Sequence, residues 1–559
     1  MNKNLVIALC ALASLASCSQ PFNQDKPADI NMANATSIEA HMQFIASDEL
    51  EGRDTGSRGH LIAANYVASQ LQRLGLEAAG DNNSYFQQVP LRKARLVANS
   101  ASFTLHDKQA GAETQLDFAY PKAFFTGPSM TETEQQVQAE LVFVGYGLVS
   151  KEFGLDDYAG LDVENKIVVM LSGRPAYLPS EEAAHISSLK NDIAAERGAV
   201  GVITLHTPER EKVRPYATSL LYLNAPSMAW LDSTGQPAAR YSKLKASAYM
   251  HYDAAKALFT KSPTSLEQIF QTIAEDKIPT GFELGFSATL SRQSQHETII
   301  SPNVLAVLPG SDPELANEYV VITAHADHIG LSNDIRSQDK INNGAMDNAA
   351  GVAILLETAR MFSELKTPPK RSILFAIVTG EEKGLLGADY FAQFPTRPLE
   401  SLVANVNLDM PVLLYPFADM IAFGANHSSL GQVVANAAAK EGIALSADPM
   451  PEQAIFTRSD HYTLVKKGVP AVFLMTGFTS KDSNLDGAKI WADFFAKHYH
   501  KPSDDIVSLT KEYGAIRYDA GAVFANINFN IALDVANTEQ KPYWLEQSFF
   551  YQLFAPKTN

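Results

Sequence analysis

Five short stretches of this 559-residue chain carry side chains that bind metal ions or move protons. They are His325-Ala326-Asp327-His328, Gly344-Ala345-Met346-Asp347-Asn348, Gly380-Glu381-Glu382, Asp409-Met410 and His498-Tyr499-His500. The chemistry that needs such a set is metal-assisted hydrolysis. Zinc takes imidazole nitrogen and carboxylate oxygen and leaves a position open for water. Two ions about 3.5–4 Å apart can share one bridging carboxylate and one bridging hydroxide. Two histidines and three carboxylates then supply two terminal ligands per ion and the bridge, with charges that nearly cancel. Each residue also has a plainer use. Asp347 alone would serve as a helix N-cap, and adjacent glutamates are usually solvated. However, Glu381 and Glu382 directly follow an apolar run, where two like charges need a reason. Residue type alone does not say which of them binds and which moves a proton. In an extended segment His498 and His500 would share a face, so spacing does not choose between them either.

The elements that must position these groups alternate between strand and helix. Glu318–Ala324, Arg371–Thr379, Leu402–Leu408 and Val469–Met475 are apolar, β-branched runs of strand length, and Asp347–Phe362 is a largely apolar helix. Strands alternating with helices predict an α/β domain of three layers, a mixed central sheet with helices on both faces. His325, Glu381 and Asp409 each follow a strand, and ligands collect outside the carboxyl ends of strands in open α/β sheets. Upstream, Thr36-Ser37-Ile38-Glu39 reads as a capping box opening a helix. A second helix is expected over Gly59–Leu74, and strand-like residues follow Phe86. Residues 135–285 read as a separate, smaller β-rich α+β unit, with short runs such as Glu140–Val144, Ile167–Met170 and Val200–Ile203 between Gly and Asp turns.

Taken together, these segments resemble the two-zinc aminopeptidase family that includes bacterial leucyl-type aminopeptidases, glutamate carboxypeptidase II, transferrin receptor and glutaminyl cyclase. The motifs are Ala324-His325-Ala326-Asp327, Gly344 to Gly351, Glu381-Glu382 before Lys383-Gly384-Leu385-Leu386-Gly387, Asn407-Leu408-Asp409-Met410, and Tyr499-His500-Lys501-Pro502-Ser503-Asp504-Asp505. The resemblance implies two Zn²⁺ per chain. His325 and Asp409 would hold one, Glu382 and His500 the other, and Asp347 the bridge. It makes Glu381 the general base and Asp327 the carboxylate that orients His325. It puts Met410 and the segment Ser459-Asp460-His461 at the substrate pocket, His328 outside the ligand set, and peptides as substrates. The unit at 135–285 resembles an inserted protease-associated domain. Met346 stands where many of these aminopeptidases carry a second Asp, which bears only on the branch. The implied activity is an aminopeptidase. A carboxypeptidase or dipeptidase of the same family is the alternative; it would need a cation for a substrate carboxylate, and Arg458, Lys466 and Lys467 are available. A glutaminyl-cyclase-like acyltransferase and a metal-free binding protein are the remaining readings.

Composition agrees with a folded protein: 46% of residues are hydrophobic and 19% charged, with a formal net charge of −17. That sign argues against nucleic acid as a partner. The first residues read as a targeting signal, with Lys3, apolar Leu5–Leu15 and then Leu15-Ala16-Ser17-Cys18, which resembles a bacterial lipobox. Cys18 would be lipidated and become residue one of the mature chain. Ser19 after it resembles the sorting pattern for the periplasmic face of the outer membrane. Cys10 and Cys18 are the two cysteines, so the mature chain would hold no disulfide and no cysteine metal site. The expected organisation is 1–17 signal peptide, 18–35 tether, 36–134 first part of the peptidase domain, 135–285 insertion, 286–535 catalytic part and 536–559 C-terminal tail.

Overall fold

The four apolar runs form the parallel centre of a mixed sheet. In the computed structural model, which describes residues 32–109, 112–220, 223–238, 243–332 and 337–555, they are the strands Tyr319–His325, Ser372–Val378, Leu402–Leu408 and Ala471–Thr476. Tyr319–His325 lies between Ser372–Val378 and Leu402–Leu408, and Ala471–Thr476 pairs beyond the latter, all parallel. Antiparallel strands extend both sides: Asp419–Phe423 next to Ala471–Thr476, and Phe282–Leu308, followed by Phe86–Leu96, next to Ser372–Val378.

The layers follow from side-chain alternation, since successive residues of a strand face opposite sides. Val320, Ile322 and Ala324, like Ile373, Phe375 and Ile377, pack in the large core with the helices Ala35–Ile45, Ala350–Ser363 and Tyr518–Asn537. Val321, Leu374 and Ala376 face the other way, against Phe391 and Leu464 of the helices Leu386–Gln393 and His461–Val465. Both faces of the sheet are therefore dry, which is why these strands read as unbroken apolar runs. The expected three-layer α/β domain is what forms.

The smaller unit is a second sheet sharing one strand with the first. Phe282–Leu308 runs through both. Its first half pairs with Ser102–Gln109 and Glu134–Phe143, and the sheet continues through Ile167–Leu171, Gly201–Leu205 and Ala246–Met250. Phe103, Leu105 and Phe124 lie in this lobe's core, so it begins near residue 102, earlier than the expected 135. Ser227–Trp230 pairs instead with Phe86–Leu96 of the main sheet. The early hydrophobic alternation suits either sheet, and only long-range pairing assigns it.

Three further expectations change. The first helix is capped by Asn34, whose side chain accepts from Thr36 N–H, and not by Thr36. The second runs Arg58–Arg73 with Ser57 as its cap. The described part of 536–559 is not simply a tail: Trp544 and Phe550 are buried in the main core, and Trp544 Nε1 donates to Gly468 O at 2.8 Å. The signal and lipidation residues lie outside the described residues. Among the described residues no helix is long and apolar enough to cross a membrane.

Candidate metal centre

The site lies at the carboxyl ends of the parallel strands. His325 is the last residue of its strand, and Asp409 directly follows Leu402–Leu408. The chain that supplies Asp347 does not begin as a regular α-helix. Ala345–Ala349 is a single wide turn in which Asp347 (φ −112°, ψ 88°) is non-helical, and regular α-helix starts at Ala350. Asp347 is therefore no N-cap; its carboxylate faces the histidines. Gly344 makes the turn possible. Its φ is +59°, and a Cβ there would lie 2.1 Å from Asp347 O and 2.7 Å from the His328 ring. The Asp347–Asn348 peptide bond is cis. Asn348 ties the turn to the neighbouring strand: Nδ2 donates to Leu408 O at 3.0 Å, while Oδ1 accepts from Gly351 N–H and Met410 N–H.

Distances divide the cluster into two halves that share one carboxylate. His325 Nε2 is 3.4 Å from Asp347 Oδ1 and 3.1 Å from Asp409 Oδ1. On the other side, His500 Nε2 is 3.2 Å from Asp347 Oδ2 and 3.2 Å from Glu382 Oε2. One oxygen of Asp347 thus serves each half. His328 is also present, with Nδ1 2.6 Å from Glu382 Oε1. Both its ring nitrogens and that oxygen are buried without a well-aligned hydrogen bond among the described residues.

The electrostatics follow from burying three carboxylates together. Burial alone would drive protons off His325, but Asp409 and Glu381 outweigh it and hold that imidazole well above its ordinary value. Glu382 and Asp347 do the same for His500. Asp347 is pulled well below the usual carboxylate range: burial opposes this, and its bonds to the two histidines win. A pocket whose carboxylates favour the charged form of two buried imidazoles has the field of a cation site. Its donor set, imidazole nitrogen and carboxylate oxygen, is one that fits zinc.

Position separates the members of both pairs. His498 caps the helix Gly487–Lys497 and points away, with Nδ1 against Ser503 and Nε2 3.1 Å from Glu512 Oε2. The segment is not extended: His500 has φ +56°, which turns it back to the cluster under the Tyr499 ring. Strand geometry also stops before the glutamates. Gly380 (φ +67°) bends the chain, so that Glu382 joins His500 while Glu381 lines the adjoining cleft with Asp347 and Asp409. Burial, with the charges of Asp409, Glu382 and Asp460, pushes the Glu381 carboxyl well above its ordinary value.

Some assignments change. The His325 Nδ1 contact is made by the main-chain oxygen of Asp327, at 3.1 Å, with the carboxylate 4.0 Å away. That carboxylate is engaged elsewhere, accepting from Glu381 N–H at 3.1 Å and Thr55 Oγ1 at 2.9 Å. It therefore positions Glu381. Met410 and Ser459 line the cleft, but Asp460 and His461 do not. Asp460 is buried behind it, and His461 packs between the rings of Phe456 and Phe473, where burial lowers its pKa to about 3.

Other contributors lie partly inside the sequence motifs, but the sequence does not assign their roles. Asp504 accepts from Met346 N–H and Asp347 N–H and so fixes the bridging turn; burial raises its pKa to about 6. Ser459 Oγ donates to Asp409 Oδ2 at 2.6 Å and is itself held by Asn407 Nδ2. Arg53, fully buried, donates to the main-chain oxygens of Ile45, Ala326, Asn343 and Gly344. Burial lowers its pKa to about 10, a value at which it stays cationic beside the carboxylates.

Comparison with known proteins places the same region. Residues 303–518 match the family model Peptidase family M28. A probable zinc metalloprotease from Pyrenophora teres f. teres is 37% identical over 142 residues, 24% of this chain and 29% of that protein. Aminopeptidase NAALADL1 of Mus musculus is 31% identical over 150 residues, 25% of this chain and 18% of that one. The chain thus spans under a third of the length of these curated relatives. An aminopeptidase from Aneurinibacillus sp. strain AM-1 superposes with a TM-score of 0.51 at 19% identity, covering 92% of this chain and 96% of that one, and so shares the fold.

Proposed function

From the premise that residues 303–518 carry a peptidase family M28 domain, we propose that this protein is a zinc-dependent exopeptidase that removes N-terminal residues from peptides. The observation that carries the reading is the shared carboxylate: Asp347 turns one oxygen to His325 and Asp409 and the other to His500 and Glu382. We assign two Zn²⁺ to these halves. When bound, the ions polarise the scissile carbonyl and acidify water.

The chain's own groups do the rest. Glu381 accepts the proton of the attacking water and returns it to the leaving amine. It lines the cleft beside the cluster, and the Asp327 carboxylate holds its backbone in place. Ser459 keeps one Asp409 oxygen occupied so that the other faces the cluster. The apolar wall of the cleft, Met410, Ile455, Phe473, Met475 and Phe495, takes the side chain of the residue removed. The acidic floor attracts the substrate ammonium. The lobe beginning near residue 102 is read as the protease-associated unit. Its helix Ser180–Ser188 docks on the helix His461–Val465, just after the cleft residues Arg458 and Ser459, through His185 Nδ1 and Tyr462 OH, 2.6 Å apart, which fits a role in shaping access.

The test is a panel of aminoacyl and N-blocked chromogenic peptides with the reconstituted protein, alongside elemental analysis. The expected result is turnover only with a free N-terminus, and about two zinc ions per chain by the logic of a shared bridge. Full activity with one ion or none would remove the two-ion mechanism. Turnover of N-blocked substrates alone would favour a carboxypeptidase.

For location, we propose a lipid anchor at Cys18, on the periplasmic face of the outer membrane, from the lipobox-like Leu15-Ala16-Ser17-Cys18. Cys18→Ser is expected to release the protein from the membrane fraction or leave it unprocessed, because acyl chains supply the attachment. Failure of a labelled fatty acid to mark the wild type would refute the anchor.

A further inference from the structure

We propose that Arg458 recognises a substrate carboxylate lying beyond the scissile bond, either the C-terminus of a dipeptide or an acidic side chain at the second residue. This rests on the aminopeptidase reading and names the substrates it favours. Three cations, Arg458, Lys466 and Lys467, are near enough in sequence to serve, and the structure separates them. Lys466 lies over the Tyr462 ring and 3.9 Å from Asp389. Lys467 donates to Gln393 Oε1 at 2.8 Å. Both are directed to the helix Leu386–Gln393. Arg458 is the one cationic side chain among the described residues that line the cleft.

Its surroundings leave it available. Arg458 is exposed, and its hydrogen bonds, from Nη1 to the main-chain and side-chain oxygens of Gln453, are both 3.4 Å, at the long limit. It forms no ion pair with any described residue. A guanidinium is commonly paired or stacked when it serves the fold; a loosely held one at the mouth of a cleft serves a ligand better. The charges are also ordered by depth. Asp347 and Asp409 are buried and Arg458 is exposed, and all three line one cleft with Glu381 and apolar residues such as Phe473 and Met475. A dipeptide has the matching order: ammonium, side chain, then carboxylate one peptide unit further. Guanidinium meets carboxylate through two parallel hydrogen bonds, which adds direction to charge.

The experiment uses the zinc-loaded full chain and compares kcat/KM within each variant. Substrates are leucyl-alanine as free acid and as C-terminal amide, leucyl-glutamate amide against leucyl-glutamine amide, and N-acetyl-leucyl-alanine. Because Arg458 is partly solvated, the wild type is expected to favour the charged member of at least one pair by about ten-fold at low salt, less at high salt. In Arg458→Gln that ratio falls to near one, and Arg458→Lys keeps part of it. Which pair loses its ratio identifies the source of the carboxylate. Equal ratios in wild type and Arg458→Gln, with turnover intact, would overturn the inference and leave the aminopeptidase reading standing. Arg458-dependent cleavage of the N-acetyl acid alone would keep the carboxylate contact and overturn the aminopeptidase. No turnover of any substrate by the wild type would overturn both.

Discussion

Glu381→Gln is expected to keep both metal ions and lose turnover, whereas Glu382→Gln is expected to lose an ion. The two residues adjoin and share their chemistry, so the difference comes from where the chain puts them. Glu382 Oε2 lies 3.2 Å from His500 Nε2, its side chain is 3% exposed, and it has no route to a substrate except through the cluster. Glu381 lines the cleft. Gln fills the volume of Glu but accepts no proton, and loss of a general base typically costs about 10²–10⁴-fold in rate. Substrate binding and zinc content should stay close to normal in Glu381→Gln, so the loss falls on kcat. In Glu382→Gln a neutral amide replaces a charged ligand beside both His328 and His500. Zinc content should drop, with activity partly restored by excess metal. Measuring stoichiometry and kcat on both variants checks the pair. The opposite pattern would exchange their roles, and unchanged kcat in both would move the active site elsewhere.

Asp347→Ala is expected to have the largest effect on metal content, because each oxygen of Asp347 serves a different half of the cluster. Replacing a residue that merely orients a ligand typically costs about 10–100-fold in metal affinity, and removing a shared ligand should exceed that for both ions. A second readout is thermal stability. A ligand bound only by the folded state adds about 4 kcal/mol at a thousand times its Kd. Zinc should therefore raise the Tm of the wild type and have little effect on Asp347→Ala. The backbone here is held independently by Asp504 and Asn348, so the metal-free variant is expected to fold. Two ions retained in Asp347→Ala would mean that Asp347 is not the bridge.

Much of this arrangement is readable in the sequence because strand ends are local features. An apolar run sufficient to be buried on both faces ends at His325, and another ends just before Asp409. The placement of a polar ligand immediately after such a run needs no distant partner to be noticed. The layers were equally accessible, since apolar strands alternating with helices imply helices on both faces of a buried sheet, and residues of Tyr319–His325 do feed two cores on opposite faces. The boundary of the smaller lobe was not. Phe86–Leu96 and Ser102–Gln109 look alike as strands, yet pair with opposite halves of Phe282–Leu308, and register between distant strands is a long-range property.

What the sequence by itself determined is the donor set: the residue types, their order, and the α/β framework that brings strand ends together. Only the tertiary structure decided direction. Two positive backbone angles, at Gly380 and His500, send Glu382 and His500 inward to the same oxygen-rich point, where neither spacing nor type distinguished them from Glu381 and His498. The contacts that hold the neighbouring turns come from remote parts of the chain: Arg53 on the oxygens of Asn343 and Gly344, Thr55 on Asp327, and Asp504 on the Asp347 turn. The physical reason is common to all three. A buried polar group must find its partner wherever folding brings one, and that partner need leave no trace in the neighbouring sequence.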